Sequence, residues 1–263
     1  MRIIVCLKQA VDVSQLKTDP STGRLVTAGV PRKISDFDKN ALEEAVRLKE
    51  KLGGEVVTLT VSVEDAKTSI REALAMGADK GYLIQDEALQ NSDTLATSKV
   101  LAKAVEKIGQ FDVILCGEAS IDGFSAQVGP RLAELLNISV ITYARKLNLE
   151  GGAVTVERVL EDRYETVKTK TPAIVTVTKE INEPRIPSLM AIMKASKKEI
   201  AIWKPADIDV SAENVGEAGS GVKILDVLAP KVERKKIVIK GESSAEIAEK
   251  LVKALIQEGV VGR

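Results

Sequence analysis

Short β-branched runs alternating with amphipathic helical segments predict an α/β protein: a Rossmann-like parallel sheet with helices on both faces, antiparallel additions and an extended C-terminal arm. Three observations carry this reading. The apolar runs at residues 2–7, 55–61, 81–84 and 113–115 are continuous rather than alternating, as strands buried on both faces require. Between them, apolar residues recur at helical spacing and the segments stop at glycine, as at Gly53 and Gly77. After Leu136 the pattern turns β-rich, and the runs 140–149, 153–160, 164–168 and 173–177 read as antiparallel additions, with Gly151-Gly152 as a hairpin turn.

In chain order, the first strand RIIVCL is followed by a segment, residues 12–30, whose Asp19-Pro20 and Thr22-Gly23 predict a turn and a short inserted hairpin. Ser35-Asp36-Phe37-Asp38 opens a helix with Phe37, Ala41, Leu42, Ala45, Leu48 and Leu52 at helical spacing. A second strand ends at Ser62, a helix follows over 65–76, and a third strand precedes the run SDTLAT, where Ser92 or Asp93 caps the next helix. The stretch 111–136, FDVILCGEASIDGFSAQVGPRLAELL, then reads as strand, polar loop and helix. Its strand ends at Gly117, and Ser125 or Gly129 caps its helix, with Pro130 at the first helical position in the second case.

Ligands of parallel sheets collect at the carboxyl ends of strands. Cys6, Ser35, Asp36, Phe37, Ser62 and the stretch from Ser120 to Gly129 all fall at predicted strand ends or helix starts. The loop after Gly117 carries Ser120, Asp122, Gly123 and Ser125, short side chains that let backbone N–H groups turn towards an anion at the helix start. It holds no lysine, so the P-loop pattern is missing, as is the spaced glycine triplet of a dinucleotide fold. Backbone donors, hydroxyls and one aromatic suit a site that holds a nucleotide rather than cleaves it.

Composition narrows the chemistry. The 263-residue chain has no histidine, and thus neither the usual general base nor the commonest transition-metal ligand; its two cysteines, Cys6 and Cys116, sit in or beside apolar runs, with no zinc spacing and no disulfide framework. Composition thus argues against metal chemistry and self-contained hydrolysis, with carboxylates left as the available acid and base, and no catalytic residue is assigned. Basic and acidic residues balance at 38 each, so bulk charge favours neither nucleic acid nor an anionic membrane as partner. The apolar runs are strand-sized and the N-terminus meets charge too early for a signal peptide, which reads as a cytoplasmic protein without membrane insertion.

Past Lys179, INEPRIPSLMAIMKASKKEI lacks periodicity and reads as a protruding recognition loop over about residues 181–197. The tail 204–263 passes through a Gly-rich linker, GEAGSG, and a strand-like KKIVIK to a helix from Ser244 with Ile247, Leu251, Leu255 and Ile256 on one face. Residues 1–203 are thus expected to form the nucleotide-binding domain and 204–263 the arm.

Taken together, VCLKQAVD, ALEEAVRLKEK, REALAMGAD, ILCGEASIDGFSAQVGP and NEPRIPSLMAIMKASKKEI, in this order over the whole chain, resemble the small (beta) subunit of an electron transfer flavoprotein. The resemblance implies a heterodimer with a large (alpha) subunit carrying the electron-transferring FAD, moving electrons between flavin dehydrogenases and an acceptor. It implies that Leu189, flanked by Pro187, Met190 and Ile192, docks into the dehydrogenase, and that the C-terminal arm wraps the large subunit. In one branch of the family the small subunit holds AMP; in the flavin-bifurcating branch it holds a second FAD that meets NADH. SDTLAT with DGFSAQVGP is similar to the second branch, which implies FAD contacts from Thr94, Thr97, Asp122, Gly123, Ser125, Ala126, Gln127 and Val128. The sequence departs from the family at Ser35-Asp36-Phe37-Asp38, where Asn-Pro-aromatic is more usual, and at Phe124, often a polar position in the bifurcating branch. An ATP-binding or nucleotide-processing protein of the same architecture is the rival reading; it calls for a glycine-serine loop near the first strand or a phosphate-directed lysine motif, and the first strand here exits as LKQAVD.

Overall fold

β1 (Arg2–Cys6) runs down the centre of a nine-stranded sheet and divides its side chains between two cores, Ile3 and Val5 on one face, Ile4 and Cys6 on the other. This is why the run is apolar without interruption: period-2 geometry exposes both faces of the strand, and helices cover both. A computed structural model describes residues 1–230 and 235–262. After β1 come β2 (Gln9–Val11), β3 (Lys17–Thr18), β4 (Leu25–Val26) and β5 (Arg32–Ile34), an insertion in which β2 pairs antiparallel with β5 and β3 with β4. The inserted hairpin is present as expected, with Gly23 at positive φ in its turn.

The chain continues through α1 (Asp36–Leu52), β6 (Glu55–Ser62), α2 (Lys67–Met76), β7 (Lys80–Gln85), α3 (Thr94–Ile108), β8 (Val113–Gly117), α4 (Val128–Leu136), β9 (Ser139–Glu150), β10 (Ala153–Val159), β11 (Tyr164–Lys170), β12 (Ala173–Val177), α5 (Leu189–Ser196), β13 (Ile200–Trp203), α6 (Gly216–Gly219) and α7 (Ser244–Gln257). The sheet order is β11-β10-β9-β12-β8-β1-β6-β7-β13, and every strand from β9 across to β13 is parallel to its neighbours. β10 reverses, joined to β9 through the Gly151-Gly152 turn with both glycines at positive φ, and β11 pairs antiparallel with β10 in turn. Residues 173–177 are therefore no antiparallel addition. β12 is wholly buried between β8 and β9, which explains its unbroken AIVTV.

From β1 the chain builds outward through β6 to β7, then α3 returns it to β8 on the other side of β1. The carboxyl ends of β1 and β8 thus border a topological switch point, the crevice where parallel sheets take ligands. α1 and α2 contribute to one core, α3 and α4 to the other, and each fully buried Leu or Ile, such as Leu42 and Leu132, adds about 1.5–3 kcal/mol relative to exposure.

Three further expectations change. Residues 189–196 form helix α5, with the Ser188 hydroxyl accepting the Ala191 N–H at 3.2 Å, because the apolar run LMAIM follows a capping serine. Much of GEAGSG is no linker: Gly216 and Gly219 are buried, and a Cβ on Gly216 would lie 2.5 Å from the Ala88 carbonyl. KKIVIK, residues 235–240, forms no strand, since no neighbouring strand meets its backbone among the described residues. The chain divides into two compact units, Met1–Val227 and Leu228–Arg263, so residues 204–227 belong with the α/β unit. In the second unit α7 is capped by Ser243 and has no buried residue. No helix among the described residues is long and apolar enough to cross a membrane.

Candidate nucleotide site

Between β8 and α4 the loop 118–127 folds on itself and onto the exit of β1. The Ser120 hydroxyl accepts the Gly123 N–H at 3.2 Å, and its carbonyl accepts the Phe124 N–H at 3.0 Å. Ser35, fully buried just before α1, accepts the Ile121 N–H at 3.3 Å. Lys8, two residues past β1, reaches in from the other strand: its Nζ lies 2.7 Å from Asp122 and 3.5 Å from the Ser120 hydroxyl. The cation missing from the loop sequence is supplied across the sheet. Burial works against ionisation of Asp122, but the bond and charge of Lys8 together with the Ser120 hydroxyl hold the carboxyl below its usual range.

Beneath the loop lies Asp38, in the first turn of α1. Its carboxylate accepts the Lys8 N–H at 2.8 Å and the Gly117 N–H at 3.0 Å. Burial pushes this carboxyl up to about 7, against the pull of those two donors. Gly117 is required here: a Cβ would sit 2.6 Å from Asp38 Oδ1 and 2.6 Å from Phe37 Cβ. At the start of α4, Gly129 leaves room for Thr176 of β12, whose Cγ2 would lie 2.5 Å from an added Cβ.

An aromatic pair flanks the loop. Phe37 is buried and Phe124 is 67 % exposed, with ring centroids 5.9 Å apart, and Lys179 Nζ stands 4.9 Å from the Phe37 ring centre. Phe124 and Ala126 hold positive φ, which costs an L-residue about 1–2 kcal/mol each. On the far side the loop meets α3. The Thr94 hydroxyl donates to Gln127 Oε1 at 2.9 Å, and Arg131 Nε donates to the same oxygen at 3.1 Å. α4 starts at Val128, with neither Ser125 nor Gly129 as cap, and no side chain caps it; Pro130 has no N–H and Arg131 donates to the Gln127 carbonyl, which leaves the Val128 and Gly129 N–H groups for an acceptor.

The predicted residues divide as follows. Ser35, Phe37, Gly117, Ser120, Asp122 and Gly123 gather around Lys8, Asp38 and Phe124, while Thr94 and Gln127 form a second group with Arg131; Ser125 and Ala126 lie in the loop, and Val128 opens α4. Thr97 is on the first turn of α3, whose cap is Asp93, accepting the Leu95 and Ala96 N–H groups. Cys6 is buried in the core on the α3 and α4 side, next to Cys116; hydrogen bonding to Cys6 and burial push the Cys116 thiol well above its ordinary range. Ser62 ends β6, on the other side of β1 from β8, and Asp36 pairs with Lys33 at 3.1 Å. Lys8, Asp38 and Lys179 are not among the site residues expected from the sequence. Asp38 stood inside the quoted motif, but only the fold reveals that it spans β1 and β8.

The segment 181–197, expected from the sequence to dock a partner, is built separately. Arg185 bonds the buried Glu43 of α1 through its N–H at 3.1 Å and its Nε at 2.8 Å, and reaches Glu50 at 2.9 Å. Burial opposes ionisation of Glu43, yet Arg185 and Arg47 hold its carboxyl below the usual range. Asn182 exchanges hydrogen bonds with Asn40 and donates to Glu44 at 3.0 Å. Beyond this clamp, Ile186 is 94 % exposed, and Leu189, Met190, Ile192 and Met193 are exposed on α5, while Pro187 is half-buried.

A family model described as an electron transfer flavoprotein domain matches residues 22–208. Over 99 % of this chain and 100 % of the relative, the sequence is 44 % identical to an electron transfer flavoprotein subunit beta of Thermoanaerobacterium thermosaccharolyticum. It is 43 % identical to the corresponding subunit of Clostridium acetobutylicum, over 85 % of this chain and 86 % of that one. At 38 % identity, over 99 % of this chain and 100 % of the relative, it matches a caffeyl-CoA reductase-Etf complex subunit, CarD, of Acetobacterium woodii. The chain belongs to the electron transfer flavoprotein family and is similar over its full length to that family's beta subunits.

Proposed function

We propose that this chain binds FAD in the crevice between β1, β8 and α4, and pairs with a large subunit in a cytoplasmic heterodimer that passes electrons from NADH by flavin-based bifurcation. The single observation that carries the FAD reading is the Thr94–Gln127 hydrogen bond, which joins SDTLAT to DGFSAQVGP across 33 residues of chain. The bond sets the two motifs side by side, which supports a ligand that reaches both. The donor set fits the group: the Val128 and Gly129 N–H groups and the Lys8 ammonium suit an anionic phosphate, and the exposed Phe124, backed by Phe37, suits a planar ligand. Bound FAD would supply hydride acceptance and one-electron delivery. The chain's own residues bind and orient it: Ser35 and Ser120 shape the loop, Lys8 and the α4 N-terminus balance charge, and Thr94 and Gln127 fix the second motif.

α5 is the surface for a flavin dehydrogenase, with Leu189 as anchor beside Pro187, Met190 and Ile192. The name of the Acetobacterium relative, a subunit of a complex with an acyl-CoA-type reductase, supports a partner of that class. The apolar side of α7, with Ile247, Leu251 and Ile256 exposed, belongs against the large subunit. To test the proposal, the heterodimer is purified, denatured, and its released nucleotides identified and counted. Two FAD per heterodimer and anaerobic reduction by NADH are the expected results. One FAD with one AMP would leave this chain as a structural nucleotide holder and docking subunit.

A further inference from the structure

β1 and β8 pair in register up to Val5 and Leu115, and a single side chain spans the gap between their exits. Asp38 uses one carboxylate oxygen for the N–H of Lys8 and the other for the N–H of Gly117. It is 7 % exposed. The same Lys8 extends its ammonium to Asp122 in the loop. Gly117, with no Cβ, lets the carboxylate approach the strand end.

We infer that Asp38 is a positioning residue for the nucleotide crevice: its ionised carboxylate fixes the exits of β1 and β8, and through Lys8 the loop 118–125, so protonating it loosens the grip on nucleotide. This deepens the nucleotide-holding reading and rests on it. An ionised carboxylate accepts from both N–H groups with charge assistance; the neutral acid carries a hydroxyl on one oxygen and serves only one donor well. The groups facing Asp38 are the Lys8 ammonium from the β1 exit, Asp122 from the loop, and the Cys116 thiol with its neighbour Cys6 from the strands. Asp122 is held below its usual range and Cys116 well above its own, so neither changes charge near neutrality. Burial brings the Asp38 carboxyl to about 7, into the range where a modest pH change alters its charge.

The test uses the complete heterodimer and follows exchange of bound nucleotide against labelled AMP and, separately, labelled FAD. Wild-type exchange is expected to speed up about tenfold or more between about pH 8 and about pH 6, the loss of one charge-assisted bond. Asp38→Asn should exchange fast with a flat profile, because the amide turns a donor towards an N–H. Gly117→Ala should exchange fast throughout yet keep the slope, since the carboxylate remains. The AMP phosphate itself titrates near pH 6, so the difference between wild type and Asp38→Asn is the readout. Asp38→Asn exchanging at the wild-type rate with the wild-type slope, or a wild type with no slope, would overturn the inference. If Asp38→Asn does not assemble, the wild-type slope and Gly117→Ala decide it. A wild type that releases neither nucleotide removes the underlying reading instead.

Discussion

The proposed nucleotide crevice and the proposed docking segment are opposites in construction. The crevice is polar, partly buried, and assembled from residues far apart in the chain: Lys8, Ser35, Asp38, Thr94, Gly117 and Asp122. The proposed docking segment is contiguous, with an exposed apolar helix, and is fastened to α1 through Arg185 and Asn182. Both hang on the same helix. Asp38 and Phe37, in the first turn of α1, serve the crevice, whereas Glu43, Glu44 and Glu50 further along hold the docking segment. A site that grips a small anion needs fixed dipoles, which only tertiary structure supplies. A surface that meets a large partner needs exposed apolar area on a rigid mount, and that can be written in a short stretch.

The sharpest way to break this comparison is to cut the mount. Arg185→Ala leaves Glu43 buried with Arg47 as its remaining partner, and is expected to cost about 2–3 kcal/mol of stability, less than for a fully enclosed pair because Arg185 is one-third exposed. Its pH dependence has a fixed sign. Glu43 has a lowered pKa in the folded chain, so its contribution is present above the unfolded value of about 4.3 and is lost as pH falls through the folded value. The penalty of Arg185→Ala should therefore shrink in acid, as thermal melts of wild type and variant at neutral and acid pH would show; a penalty that stayed constant would mean the arginine acts by packing alone.

Leu189→Ala attacks the other half of the comparison. With Leu189 74 % exposed, its truncation should leave the melting temperature unchanged while weakening dehydrogenase binding by about 2 kcal/mol, near thirtyfold in Kd. Titration calorimetry with the intact heterodimer measures this, and unaltered affinity would move the anchor elsewhere on α5. Gly129→Ala probes the crevice in turn. Its Cβ would press on Thr176, at an expected cost of about 1–3 kcal/mol of stability together with loss of nucleotide, measured by melting and by the nucleotide content of the purified heterodimer.

How much of this was legible in the sequence follows the same division. The parallel sheet was, because strands buried on both faces leave continuous apolar runs, as RIIVC and VILCG do. β12 was placed with the antiparallel additions because its neighbours in sequence are a hairpin, while its neighbours in space are β8 and β9. The loop 118–127 was visible through its small polar residues. Lys8 as its cation was not, since 114 residues separate it from Asp122 and no periodicity encodes a meeting across two strand ends. Asp38 looked like any acidic residue in a first helical turn, where the macrodipole favours carboxylates anyway. The exposed apolar patch was legible, yet its helix was not: Pro184 and Pro187 just upstream masked the cap at Ser188.

That cap yields the smallest effect and the finest test of the contrast between a fixed crevice and a mounted docking surface. Ser188 Oγ accepts the Ala191 N–H at 3.2 Å, and the buried Ala195 ties the other end of α5 to the core beside α2. Arg71 donates to the Ala195 carbonyl at 2.7 Å, closing the C-terminal turn. Ser188→Ala should cost about 1 kcal/mol, the usual worth of an N-cap, and the loss should stay local because Arg71 and Arg185 hold both flanks. Hydrogen exchange is then expected to quicken at Ile192 and Met193 but not in β1 or β8, with nucleotide content unchanged. Partner affinity should fall by a smaller factor than for Leu189→Ala, since the anchor survives and only its preorganisation is lost. Faster exchange spreading into α1 would show that the docking helix and the crevice share one cooperative unit, and their separation along that helix would then be one of chemistry and not of stability.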